Sequence, residues 1–214
     1  MTPLRELLEA SAALHRHLCP RQVLGVRMGL LAGELFGLAL PQSDKRLLAI
    51  IETDGCVIDG IAAATHCTVG RRTMRIEDYG KVAATFVDTH AEQAVRIVPR
   101  PEARMLAGRC TPGARNRWNA QLLGYQLMPA EELFTVQTVR LKTPIEKLVS
   151  QPSRRAVCEI CGEEIINQRE VTRGGRVLCR ACAGQTYYRP AMPESDRSMP
   201  VSITPAGSLG ILMP

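Results

Sequence analysis

Two groups of cysteine and histidine in this chain are spaced for chemistry. Cys158-Glu159-Ile160-Cys161 and Cys179-Arg180-Ala181-Cys182 are two C-x-x-C pairs with seventeen residues between them. That separation is the pattern of a four-cysteine zinc site. A closed four-thiolate site has no open coordination position, so the role it predicts is structural rather than catalytic. Gly162 permits the tight turn that the first pair needs, and Gly174-Gly175 predicts a hairpin joining Glu164–Thr172 to Arg176–Leu178. The second pair opens a short helical stretch, which gives a zinc-ribbon or treble-clef layout. So few residues cannot build a core, and the metal must supply most of the stability.

The second group is Leu14-His15-Arg16-His17-Leu18-Cys19-Pro20. Imidazole and thiolate suit zinc, copper or iron. Pro20 bars a helix from running through Cys19, which predicts that Cys19 sits at the start of a second helix. Cys56 falls at a similar place, where the apolar run Leu47–Ile51 ends in Glu52-Thr53-Asp54-Gly55-Cys56 and a helix over Val57–His66 follows. Free N–H groups at a helix start favour a thiolate. The expectation is that His17, Cys19 and Cys56 meet around a second, soft metal ion and leave a position open for substrate. His15 would orient a ligand from outside, and Cys67 would lie nearby as a further ligand or thiol. Tyr79 and Lys81 would donate to, and hold, an anionic group. Buried inert thiols, surface histidines and an ordinary turn at 78–81 would carry the same letters.

The elements that must position these residues form an α+β pattern: helices packed on one face of a mainly antiparallel sheet, followed by the small finger. Thr2-Pro3 starts a helix with Thr as N-cap, and a second helix runs from Pro20 to Leu38. Gly25, Gly29 and Gly33 line one face of it, a sign of close packing. Leu47–Ile51, Thr73–Ile76, Ala83–Asp88 and Ala94–Val98 read as strands. After Pro99 the pattern weakens. Residues 108–113 read as a loop, Ala114–Leu127 as a helix with the only Trp, and Phe134–Leu141 as a strand; Pro144, Pro152 and Ser153 mark a linker. The domain boundaries expected are 1–150, 151–189 for the finger, and 190–214 for a Pro-rich extended tail.

The charge is uneven. Residues 1–98 are neutral, residues 99–151 carry a net +4, and residues 152–189 a net +3, within a total of +6. Such an excess can steer an anionic ligand or nucleic acid, but most such excesses are solvated surface. The chain has no apolar run of membrane-spanning length and no signal-peptide pattern near Met1, which predicts a cytoplasmic protein with reduced thiols.

The first ninety-eight residues resemble the formylmethanofuran dehydrogenase E-subunit family, and the finger resembles the one many members carry. The residues behind the resemblance are His15-x-His17-x-Cys19-Pro20 with Leu24-Gly25-x-Arg27-Met28-Gly29, Glu52-Thr53-Asp54-Gly55-Cys56-x-x-Asp59-Gly60, Cys67-Thr68-Val69-Gly70 and Asp78-Tyr79-Gly80-Lys81. Two positions depart from the family pattern: Arg21 stands where Gly is common, and Thr53 where Asn is common. The resemblance implies an α+β core, a zinc finger, an intertwined homodimer and a cleft lined by the His and Cys blocks. The three-glycine face adds a motive for the dimer.

Three functions follow. The first is a metal- or thiol-dependent enzyme, or enzyme accessory, of one-carbon or molybdenum/tungsten metabolism. The second is a non-catalytic metal or cofactor carrier for a molybdenum/tungsten oxidoreductase partner. The third, a nucleic-acid-binding regulator, ranks last, because the finger's arginines are dispersed and lack stacking aromatics.

Overall fold

The run Leu47–Ile51 is strand β1, and it is apolar throughout because both its faces are covered. Leu47, Ala49 and Ile51 enter the main core; Leu48 and Ile50 face a smaller cluster on the other side. The computed structural model describes residues 3–149 and 153–189. The chain divides at residue 150 into two compact units. The tail expected at 190–214 lies outside the described residues.

In the first unit, β1 is joined by β2 (Met74–Ile76), β3 (Ala84–Asp88), β4 (Gln93–Pro99) and β5 (Phe134–Thr138) in the order β2-β1-β3-β4-β5. Only β1 and β2 run parallel; the other neighbours are antiparallel. The helices are α1 (Leu4–His15), α2 (Pro20–Phe36), α3 (Val57–Thr65), α4 (Ala103–Cys110), α5 (Arg117–Leu127) and α6 (Ala130–Leu133). The main core joins α1 to α5 with Ala84, Phe86 and Ile97 of the sheet.

Helix α1 starts at Leu4 with Pro3 as its N-cap residue; the Thr2 cap expected lies outside the described residues. Gly37, in the left-handed region, ends α2 at Phe36. Residues 108–113 are not all loop: Gly108–Cys110 form the last turn of α4. Residues 139–148 are more than a linker. Val139, Leu141, Ile145 and Leu148, the last two on α7 (Ile145–Leu148), pack on Leu48, Val87 and Ala94 across the second face of the sheet.

The glycine face of α2 is spent inside this unit. A Cβ on Gly25 would stand 2.3 Å from the Val57 carbonyl oxygen, and one on Gly29 2.6 Å from Ala64 Cβ. The glycines let α2 and α3 touch backbone to backbone, so they no longer support a dimer interface.

Asp88 closes the β3–β4 hairpin. It accepts from the His90 and Ala91 amides at 3.0 and 3.2 Å and takes a bidentate pair from Arg46 at 2.9 and 2.6 Å. The Arg46 guanidinium, foremost among these partners, holds the carboxyl at about 2. A depressed carboxyl pKa stabilises the fold above the unfolded value near 4 and is lost as pH falls toward 2. Asp88→Asn is therefore expected to lower stability by about 2 kcal/mol at pH 7. In urea unfolding, the gap between variant and parent should narrow from about pH 4 to about pH 2.

The second unit holds β6 (Arg155–Val157) paired with β7 (Glu164–Ile166), and β8 (Val171–Arg173) paired with β9 (Arg176–Leu178). The long strand expected over 164–172 is split. Asn167 and Gln168 both take positive φ, which ends β7 and turns the chain before β8. Gly174 and Gly175, at φ 58° and 77°, make the two-residue turn of the β8–β9 hairpin.

Candidate functional site

Cys158, Cys161, Cys179 and Cys182 bring their sulfurs within 4.8 Å of one another, the only group of three or more such ligands among the described residues. The turn after Cys158 is closed by Gly162, whose N–H donates to the Cys158 carbonyl at 2.9 Å. The Cys182 N–H donates to Cys179 Sγ at 3.3 Å. Thiolates bound to a tetrahedral zinc at about 2.3 Å stand about 3.8 Å apart, and Cys161 Sγ lies 3.9 Å from Cys179 Sγ. The quartet fits zinc. The backbone N–H groups of Cys161 and Cys179 draw the Cys158 thiol down to about 6, while neighbouring thiols, Cys179 first, push Cys182 up to about 12. One thiolate is welcome at Cys158; a bound cation is what lets Cys161 and Cys182 ionise as well.

In the first unit the two helix-start cysteines meet. Cys19 is the N-cap residue of α2 and Cys56 that of α3. Their thiols are hydrogen-bonding neighbours, and both line a cleft of about 700 Å³. Cys19 is held firmly. Its N–H donates to Gln22 Oε1 at 2.8 Å, and Gln22 Nε2 donates to the Ser11 carbonyl at 2.8 Å and to Ser11 Oγ at 3.1 Å. Gln22 and Ser11 are fully buried. Sequence reading passed over Gln22; the Cys-x-x-Gln spacing at a helix start is the signal that marks it. The thiolate expected at Cys56 is not what its surroundings favour. Burial first, and then the Cys19 thiol, push it up, and the nearby Arg21 charge only partly offsets them.

The other candidates are dispersed. His17 is exposed in the turn before Cys19 and does not line the cleft. His15 ends α1. Cys67 is buried past the far end of α3, and its thiol donates to the Leu47 carbonyl at 3.3 Å. Nine helical residues separate it from Cys56, a span of roughly 13 Å. Tyr79 is exposed, and its N–H and that of Lys81 both donate to the Glu52 carbonyl at 3.0 Å. Gly80, between them, lines the cleft at φ 65°. Glu52 is buried and bidentate with Arg96 at 2.5 and 2.7 Å, which lowers its pKa. That pair anchors the end of β1 and, through the Glu52 backbone, the 78–81 loop.

The cleft's other wall comes from the region that carried no motif. Arg100, Arg104 and Trp118 line it, with buried Tyr125 behind them. Arg27 on α2 holds this wall. Its guanidinium donates to the Tyr125 and Met128 carbonyls at 2.8 Å and to that of Gln126 at 3.2 Å. These are carbonyls that the end of α5 leaves unpaired.

An α+β unit with a paired-thiol cleft, joined to a four-cysteine zinc unit, defines a class of metal-binding protein. Residues 14–135 match the family described as FmdE, molybdenum formylmethanofuran dehydrogenase operon, and the chain belongs to that family. Residues 152–188 match the prokaryotic dksA/traR C4-type zinc finger. The chain is 30% identical to the probable S-adenosyl-L-methionine-binding protein of Archaeoglobus fulgidus, over 86% of this chain and 54% of that protein. It thus spans about half the length of that curated relative. A tungsten formylmethanofuran dehydrogenase FmdE-like protein from Syntrophus aciditrophicus shares the fold, with a TM-score of 0.53 and 20% identity over 87% of this chain and 95% of that one. No described helix is long and apolar enough to cross a membrane.

Proposed function

We propose that this chain is a metal-binding accessory protein of the FmdE family that works through the Cys19–Cys56 pair. The finger zinc has a structural part only. The observation that carries this reading is the meeting of two thiols, from two helix starts, in the wall of a cleft of ligand size. Two thiolates and no other described ligand suit a soft ion with its remaining positions open to a ligand or partner. His17 would become a third ligand only if the turn before Cys19 moved. A molybdenum or tungsten formylmethanofuran dehydrogenase is the proposed partner, on the strength of the operon in the family's description. A homodimer is the proposed assembly, by the family resemblance. S-Adenosyl-L-methionine, named for the archaeal relative, suits the cleft less well. Its sulfonium and ammonium would face three guanidiniums, and no carboxylate is among the described lining.

Equilibrium dialysis against zinc, with metal analysis of the full chain, tests the proposal. Two equivalents are expected for the parent and one each for Cys19→Ser and Cys56→Ser. Zinc should also slow the labelling of both thiols. A parent that binds one equivalent, with labelling untouched by zinc, overturns the reading.

A further inference from the structure

The charge of the cleft says what kind of molecule fits it. Three guanidiniums line it, from Arg21 in the first turn of α2, Arg100 ahead of α4 and Arg104 on α4. No acidic side chain is among the described lining. Arg21 reaches over the loop before α3: its Nη1 lies 4.0 Å from where a Cβ on Gly55 would stand. Arg100 spends a single N–H on the Glu131 carbonyl, at 3.2 Å, of the five a guanidinium offers. Arg104 lies against the Tyr125 hydroxyl. Apolar walls at Val82 and Val98 strengthen the field of these charges. Two of the three come from the segment 99–151, which carries a net +4. Trp118, the only Trp, is 47% exposed at the cleft. An indole face left in solvent beside guanidiniums is a stacking platform for a planar ring.

We propose that the cleft binds a planar aromatic anion, its phosphate or carboxylate groups held by Arg21, Arg100 and Arg104, its ring on Trp118, and its far end delivered to the Cys19–Cys56 pair. This rests on the thiol pair being the working end of the cleft, and it adds the ligand class. It also gives Arg21 a purpose, as a cation beside the thiols.

AMP and terephthalate serve as phosphate- and carboxylate-bearing probes, with adenosine as the uncharged ring and inorganic phosphate as the ringless anion. Calorimetry and Trp118 fluorescence read binding to the full chain. AMP or terephthalate should bind, more weakly as salt rises. Adenosine and phosphate should each bind at least about tenfold more weakly. Arg21→Gln and Arg104→Gln should each cost about tenfold for the charged probes, and Trp118→Leu should weaken them by calorimetry. Adenosine binding as well as AMP, arginine variants without effect, or neither charged probe binding at about 1 mM would overturn the proposal. Zinc stoichiometry on the same samples separates the two readings. Two equivalents with no anion binding removes this inference alone, whereas anion binding with one equivalent removes only the thiol-pair metal site.

Discussion

Cys179→Ser is expected to remove one equivalent of zinc and to unfold residues 153–189 while the first unit stays folded. Among the described residues, the buried hydrophobics of the finger are Cys158, Ile165 and Leu178, and its strands are three residues long. Area on that scale does not offset the entropy of ordering some thirty-five residues at about 1–2 kcal/mol each. Structural zinc contributes about 10–16 kcal/mol in small fingers, and a serine hydroxyl is a poor substitute for thiolate. Amide exchange should rise across 153–189 and stay slow in β1, β3 and β4. Fluorescence of Trp118, which belongs to the first unit, should not change. A finger that stays protected with no metal bound would refute the assignment.

Gly60→Ala should be the most damaging single-methyl change in the first unit. Its Cβ would lie 2.2 Å from the Gln22 carbonyl oxygen and 2.8 Å from the Val26 nitrogen. Both are backbone atoms of α2 and have no rotamer through which to yield. Alanine gains about 1 kcal/mol of helix propensity, but forcing two packed helices apart costs about 3 kcal/mol or more. Because Cys19 and Cys56 start these two helices, the same change should widen the thiol pair and slow its capture of zinc. Gly108→Ala is the control. Nothing lies within 4 Å of its Cβ position, and it sits inside α4. It should leave stability unchanged or raise it by up to about 1 kcal/mol. Urea midpoints of the two variants check the contrast, and equal midpoints would refute the packing argument.

Leu47–Ile51 was legible to the residue because a strand buried on both faces must be apolar throughout, and no helix of that length competes. The two C-x-x-C pairs were legible because a metal fixes ligand spacing along the chain. Helix α4 was not. Pro99, Pro101, Gly108 and Pro112 read as breakers, yet Ala103 and Ala107 are buried and a Cβ on Gly124 would lie 2.7 Å from Ala107, so tertiary packing decides that helix. The strap at 139–148 was hidden for a similar reason, since its few apolar residues gain meaning only from the sheet face beneath them. Half of the cleft was readable from the cysteine blocks. The other half, Arg100, Arg104 and Trp118, comes from residues that share no motif and are brought in by the docking of α5 on α2.

That docking depends on Arg27, and the dependence has a timetable. Both thiols of the pair are present in the nascent chain once α3 has been made, but their facing wall cannot lock until the end of α5, 98 to 101 residues beyond Arg27, has been made. The chain from the end of α3 at Thr65 to Met128 takes roughly 3–13 seconds to make at about 5–20 residues per second. During that time Cys19 and Cys56 meet the surrounding solution with only one side of their cleft built. The proposed soft ion would therefore have its freest access to the pair while the protein is still on the ribosome, and a chain released without one would have to admit it past the three arginines.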